Sequence, residues 1–316
     1  MAFRRRSLIP LAPVLALCIS LGACGTETRA PDVAGGSASV VAESTEPASP
    51  AVQPTSVPIP EREVTTGHPM LVLDEGEGAE LCLGVVMTSL PPQCGGPRIS
   101  EWDWAEHDNE YQQLGGTRWG EFVFTGLFDG ATVTPRVMVP ANEHDHQTRD
   151  ERDPFKTSCP EPEGGWIVSS RRLGHKDLDA AFRTANRLDD YAGSFVDTSV
   201  DSRTMKQMDT DAAAGSEDVA TWIVNVAVTE DPIAAKTAIR AVWGGGVCVT
   251  AAEHTESELR RIGTEVRELP GWLSSSTGDD EVEVQVTYDD GSIQAWVDQE
   301  YGSGVVVVSS ALADVT

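Results

Sequence analysis

Between residues 64 and 140 the apolar positions fall in short runs of strand-like composition, at 70–73, 81–87, 121–128 and 131–139. Asp129-Gly130 separates the last two as a hairpin turn does, and Pro135 places the final strand at an edge or a bulge. This predicts a small β unit of half-open barrel type. After a polar stretch at 141–158, the period lengthens. Leu178, Ala181, Phe182, Ala185 and Leu188 make one helical face, 194–196 reads as extended and 222–228 as an apolar strand. Asp231 followed by Pro232 opens a helix over 232–243, and Gly244 to Gly246 breaks it before a strand at 247–251. Thr255 to Glu258 has a capping-box pattern, with Leu259, Ile262 and Val266 on one face of the helix that follows. Strands are predicted at 281–288, 292–298 and 304–309, with Asp289, Asp290 and Gly291 turning between the first two. Their close succession leaves no room for parallel crossovers. The fold class expected is therefore α+β: a small disulfide-bonded β domain, then an α+β domain with a mainly antiparallel sheet.

The N-terminus has a different pattern. Arg4, Arg5 and Arg6 precede an apolar run over 8–21 that is short for a membrane span and interrupted by Pro10 and Pro13. Leu21-Gly22-Ala23-Cys24 resembles a bacterial lipobox, with Gly22 a departure from the usual Ala, Ser or Thr. The resemblance implies cleavage before Cys24 and its acylation, so residues 1–23 are expected to be a signal peptide. The chain is then held to the outer face of the cell membrane through its lipid, or is secreted if the lipobox is not used. Two or three acyl chains anchor stably, at about 0.8 kcal/mol per buried methylene. Residues 24–63, rich in Ala, Ser, Thr, Pro and Glu, are expected to be a disordered tether of about 35 Å reach.

Charge and cysteine usage agree with export. The formal charge of −27 becomes more negative once the signal arginines leave, which repels nucleic acid and favours cations or basic partners. It also serves solubility alone, which is the preferred reading. Of six cysteines, Cys18 lies in the signal and Cys24 carries the lipid. Cys82, Cys94, Cys159 and Cys248 remain, an even set that allows two disulfides in three pairings. Cys82 with Cys94 and Cys159 with Cys248 is the favoured pairing, since one closes a short loop and the other staples the start of the second domain to a strand. Chain entropy gives about 3 kcal/mol for the short loop and somewhat under about 5 kcal/mol for the long one. Their spacing lacks the close pairs of structural zinc motifs.

Candidate chemistry is sparse. There is no Gly-x-Ser-x-Gly elbow, no His-Glu-x-x-His, no phosphate loop and no dinucleotide fingerprint, and no cofactor is expected. Residues 141–158 carry His144 and His146 among acids, donors enough for a divalent cation, although a solvated interdomain linker is the preferred reading. Gly244 to Gly246 reads as a turn, and His254 beside Glu253 as a helix-start residue. Trp102 and Trp104 are candidates for a ligand platform, set against the plainer expectation that they pack over the Cys82–Cys94 disulfide.

Cys82-Leu83-Gly84, the run from Pro91 to Pro97 through Cys94-Gly95-Gly96, Trp102-Asp103-Trp104, Arg118-Trp119-Gly120 and Asp129-Gly130 resemble a segment of uncharacterised secreted and lipid-anchored actinobacterial proteins. That family implies an envelope location and no activity. More weakly, Tyr191 to Asp197, residues 224–229 and Val247-Cys248-Val249 ahead of Glu256 are similar in pattern to the pro-segments of streptogrisin-type proteases. This likeness implies an α+β unit that assists folding or inhibits a protease. Three functions are therefore weighed. The first is a lipid-anchored, non-enzymatic surface protein binding an extracellular or cell-wall ligand. The second is a cation-dependent hydrolase, and the third a pro-segment-like inhibitor or folding helper.

Overall fold

The computed structural model describes residues 51–144, 155–163, 165–166, 171–215, 218–278 and 280–315. The signal segment and Cys24 lie outside the described residues, as does His146.

The N-terminal half is built from β1 (Val64–Thr65), β2 (Met70–Asp74), β3 (Glu80–Cys82), β4 (Arg98–Ile99), β5 (Gln112–Leu114), β6 (Thr117–Phe128) and β7 (Thr132–Pro140). β6 is long enough to pair with β2 through one half and with β7 through the other, and β3 and β4 complete the circuit from β2 round to β7. The barrel is therefore closed rather than half-open, which leaves no free edge in the ring. Its five strands run in the order β6–β2–β3–β4–β7, with β4 and β7 parallel and the other pairs antiparallel. This is the connectivity of an OB-type barrel. Pro135 sits at a bulge, where the register between β6 and β7 slips beside Gly126. Val72, Leu81, Leu83, Phe122, Phe124 and Val133 fill the interior.

The C-terminal half contains α1 (His175–Ala185), β8 (Tyr191–Asp197), α2 (Met205–Ala213), β9 (Ile223–Val228), α3 (Pro232–Arg240), β10 (Gly246–Ala251), α4 (Glu256–Glu265), β11 (Trp272–Thr277), β12 (Val282–Val286), α5 (Ser292–Tyr301), β13 (Val306–Ser310) and β14 (Ala313–Asp314). It forms two three-stranded sheets, β10–β9–β8 and β11–β12–β13. Each has one antiparallel pair, β8–β9 or β11–β12, and one parallel pair, β9–β10 or β12–β13.

These sheets belong to two copies of one α-β-β-α-β module. In the first copy Tyr191 opposes Val228 and Gly193 opposes Ala227, with a bulge at Ala192 between them. In the second, Trp272 opposes Val286 and Ser274 opposes Gln285, with a bulge at Leu273. Leu178, Ala181 and Ala185 of the first copy match Leu259, Ile262 and Val266 of the second as buried helical faces. Ala235 and Ile239 match Ile293 and Val297 in the same way. The copies differ mainly between their antiparallel strands, where the first inserts α2. That insertion is held by Arg203, which pairs with Asp201 at 2.6 Å and Asp211 at 3.2 Å while Trp222 Nε1 donates to Asp201 at 3.0 Å. The same bonds hold the Asp201 carboxyl well below the usual carboxylate range, the Arg203 guanidinium contributing most.

Three features differ from the sequence pattern. Residues 292–298 form a helix, not a strand. Asp289 accepts hydrogen bonds from the amides of Gly291, Ile293 and Gln294, turning the chain into α5, and Ile293 and Val297 then share one buried face. This helix supplies the crossover that makes β12 and β13 parallel. Second, the C-terminal end of the chain returns to the barrel: β14 pairs with β1, and Ala311 and Leu312 join the barrel core. Third, Val57, within the expected tether, packs against that same core. The barrel and both copies belong to one compact unit.

Candidate functional site

Trp102 and Trp104 sit on the connection between β4 and β5, bracketed by two residues in the left-handed region, Glu101 (φ 56°) and Asn109 (φ 71°). Such backbone costs about 1–3 kcal/mol per residue and persists where the surroundings overdetermine it. Here those surroundings are aromatic. Trp102 stacks on His107 with centroids 4.3 Å apart and meets Phe122 edge-on at 5.3 Å. Trp104 packs edge-on to Trp102 at 5.1 Å and against Tyr111 at 4.9 Å.

Neither tryptophan forms an exposed platform. Trp104 is 4% exposed and Trp102 packs against the barrel core. They do not cover the Cys82–Cys94 disulfide either; that place belongs to Trp119, together with Leu73. Trp104 Nε1 donates to Asp74 Oδ2 at 3.0 Å. Burial pushes the Asp74 carboxyl up, but hydrogen bonds from Gly76, Trp104 and Gly78 and the nearby Arg118 outweigh it, so its pKa is lowered overall. Trp102 Nε1 is buried with no hydrogen-bond partner among the described residues, its surroundings being aromatic rings.

What this aromatic cluster supports is Tyr111. Its ring is braced by Trp104, with the Arg118 guanidinium 5.9 Å from its centroid, and it lines a groove of about 560 Å³ on the barrel wall. Asn109, Gln112, Glu121 and Asn142 line the groove with it. Gly120 in its floor allows close approach, since a Cβ there would lie 2.6 Å from Glu110 O. The rim is the loop after β3. The disulfide between Cys82 and Cys94 closes that loop, and Gly96 presses onto β3 where a Cβ would meet Leu81 O at 1.8 Å. Between these anchors Val85 (67% exposed), Met87 (59%) and Leu90 (74%) face solvent.

The second disulfide joins Cys159 to Cys248, as favoured from the sequence. Two disulfides are the mark of a chain that folds in an extracellular or otherwise oxidising environment. Among the described residues no helix is long and apolar enough to cross a membrane. His144 ends a short helical turn beside the groove, where its amide donates to Ala141 O at 3.3 Å. Among the described residues no group of three or more His, Cys, Asp or Glu is placed to hold a metal ion. His254 stands at the start of α4, with its ring 3.3 Å from Glu258.

Sequence reasoning singled out the two tryptophans and passed over Tyr111. The signal available was a lone aromatic residue within the polar run Asn109-Glu110-Tyr111-Gln112-Gln113. No protein-family model matches the chain, and no curated protein or solved structure is significantly similar to it.

Proposed function

We propose that the protein is a lipid-anchored extracellular binding protein whose barrel groove takes a polyhydroxylated ligand, a glycan of the cell wall or its surroundings. The observation that carries this reading is the composition of the groove. A braced tyrosine ring stands beside amide and carboxylate side chains. A sugar ring has an apolar face that stacks on an aromatic ring and an equatorial rim of hydroxyls that bond to amides and carboxylates. The volume lies in the range of small-ligand sites, and an acidic protein favours neutral or amino sugars over anionic ones. Anchoring through Cys24 would hold the groove at the membrane face, within reach of the wall.

The test is titration of the chain with soluble wall oligosaccharides, followed through tryptophan fluorescence, since Trp119 lines the groove. Saturable binding weakened about tenfold or more by Tyr111→Ala is expected, corresponding to about 1.4 kcal/mol. Binding unchanged by Tyr111→Ala would move the ligand elsewhere, and no binding to any neutral or amino-sugar oligomer would reject the reading.

A further inference from the structure

The two module copies make an internal comparison, and besides the α2 insertion they differ in what covers the sheet face turned away from the helices. In the second copy the sheet face turned away from its helices carries Ser274, Ser276, Glu283 and Gln285, all polar, and the central strand β12 alternates buried with exposed. At the equivalent positions the first copy has Gly193, Phe195, Asn225 and Ala227. Ile223 through Val226 of its central strand are all buried, so this face is covered too. The cover is the segment 155–159. Phe155 lies against Phe195 with centroids 6.2 Å apart, Thr157 N donates to Asp197 Oδ2 at 2.8 Å, and Cys159 is bonded to Cys248 in β10.

The cover does not fill the space beneath it. Small residues at Gly193 and Ala227 leave a cavity of about 400 Å³ between sheet and strap. A Cβ built on Gly193 meets no atom within 4 Å. Asn225 lines the cavity and is 4% exposed. Its amide nitrogen donates to Ile223 O at 3.1 Å, while its amide oxygen has no protein partner among the described residues. That oxygen is reached from the cavity and is free to accept a hydrogen bond from whatever occupies it. Among the described residues of the lining, Lys156 supplies the one ammonium and Asp280 the one carboxylate. Asp280 Oδ1 accepts from the amides of Glu253 and His254, at 2.6 and 3.1 Å, which orients the group.

We propose that this cavity is a binding site for a small zwitterion carrying an α-ammonium and an α-carboxylate, a free amino acid or a dipeptide. Asp280 and the open Asn225 oxygen receive the ammonium, Lys156 the carboxylate, and Phe195 contacts the side chain. The paired charges match a ligand of no net charge, and the volume suits one or two residues. The second copy, with larger polar side chains on an unroofed face, does not bind.

The full chain in detergent is titrated calorimetrically with a panel of L- and D-amino acids and dipeptides, each up to about 10 mM, a range that reaches weak millimolar binders. Each is compared with its N-acetylated and C-amidated forms. At least one zwitterion is expected to bind saturably, with blocking of either end weakening it about tenfold or more. Free amino acids against dipeptides then separate the two sources. Gly193→Ser with Ala227→Gln, which writes the second copy's residues into the first, is expected to abolish binding while circular dichroism stays unchanged. Should that variant misfold, the blocked ligands decide the matter on the native chain. Absence of binding across the panel, equal binding of blocked and free ligands, or binding that survives the double substitution in a folded protein would each overturn the proposal.

Discussion

Replacing Trp104 with phenylalanine separates its two contributions, shape and hydrogen bonding. The side chain is 4% exposed, touches Trp102 and Tyr111, and donates to Asp74 Oδ2. Losing part of the indole leaves on the order of 40 Å³ unfilled, which at about 24 cal/mol per Å³ costs about 1 kcal/mol. Losing a hydrogen bond to an ionised carboxylate costs about 1.5–3 kcal/mol. Asp74 keeps the amides of Gly76 and Gly78 and is partly hydrated, so the lower figure applies. The total is about 2.5 kcal/mol, or a fall in Tm of about 5 °C for a unit of this size.

The hydrogen-bond part has a pH signature. The folded pKa of Asp74 lies below the unfolded value, so its contribution is present above the unfolded pKa and is lost as pH falls through the folded pKa. Urea unfolding of both proteins across pH 7 to 2 is expected to show a gap that narrows in acid towards the packing part, about 1 kcal/mol. A gap that stays constant with pH would refute the attribution to Asp74. No gap at any pH would refute the placement of Trp104 in the core.

Serine at both Cys159 and Cys248 opens a loop of 89 residues in sequence separation and is expected to destabilise by about 4–5 kcal/mol, read as a lower urea midpoint with the barrel disulfide intact. Arg203→Gln leaves the Asp201 carboxylate, 4% exposed, without its main partner; with the arginine itself 23% exposed, a loss of about 2–3 kcal/mol is expected at pH 7. Because the folded pKa of Asp201 is depressed, that loss should fade as pH falls below the ordinary carboxylate range, and a loss constant down to pH 2 would count against it. Burial, aided by the bond to Asp314, pushes the Tyr288 phenol up to about 12. Its stabilisation is complete below about pH 10 and lost as pH rises through the folded value, so Tyr288→Phe should be less sensitive to pH between those limits when unfolding is followed by circular dichroism.

Much of the local structure is determined by the chain itself. The hairpin at Asp129-Gly130, the caps at Asp231 and Thr255, the bulge at Pro135 and the short Cys82–Cys94 bridge all follow from short-range chemistry: φ preferences, side-chain acceptors for free amides, and loop length. The α+β class was legible for the same reason. Residues 292–298 were not, because Ile293, Ala295 and Val297 alternate as in a strand while Ile293 and Val297 also share a helical face. Tertiary contacts decide between the two. Gln294 bonds Val306 O and Val308 N along the edge of β13, a role its side chain fills from a helix lying beside that strand.

The candidate sites belonged wholly to the tertiary structure. Tyr111, Glu121 and Asn142 meet because β6 serves two partners and closes a ring. Asn225 is buried and faces a cavity because a strap some seventy positions away in sequence crosses its face, where the second copy leaves Glu283 exposed. Periodicity reports which face of an element is apolar. It carries no information on which distant segment covers that face, or on whether the cover leaves room beneath it, because both depend on the volumes of side chains that only the folded chain brings together.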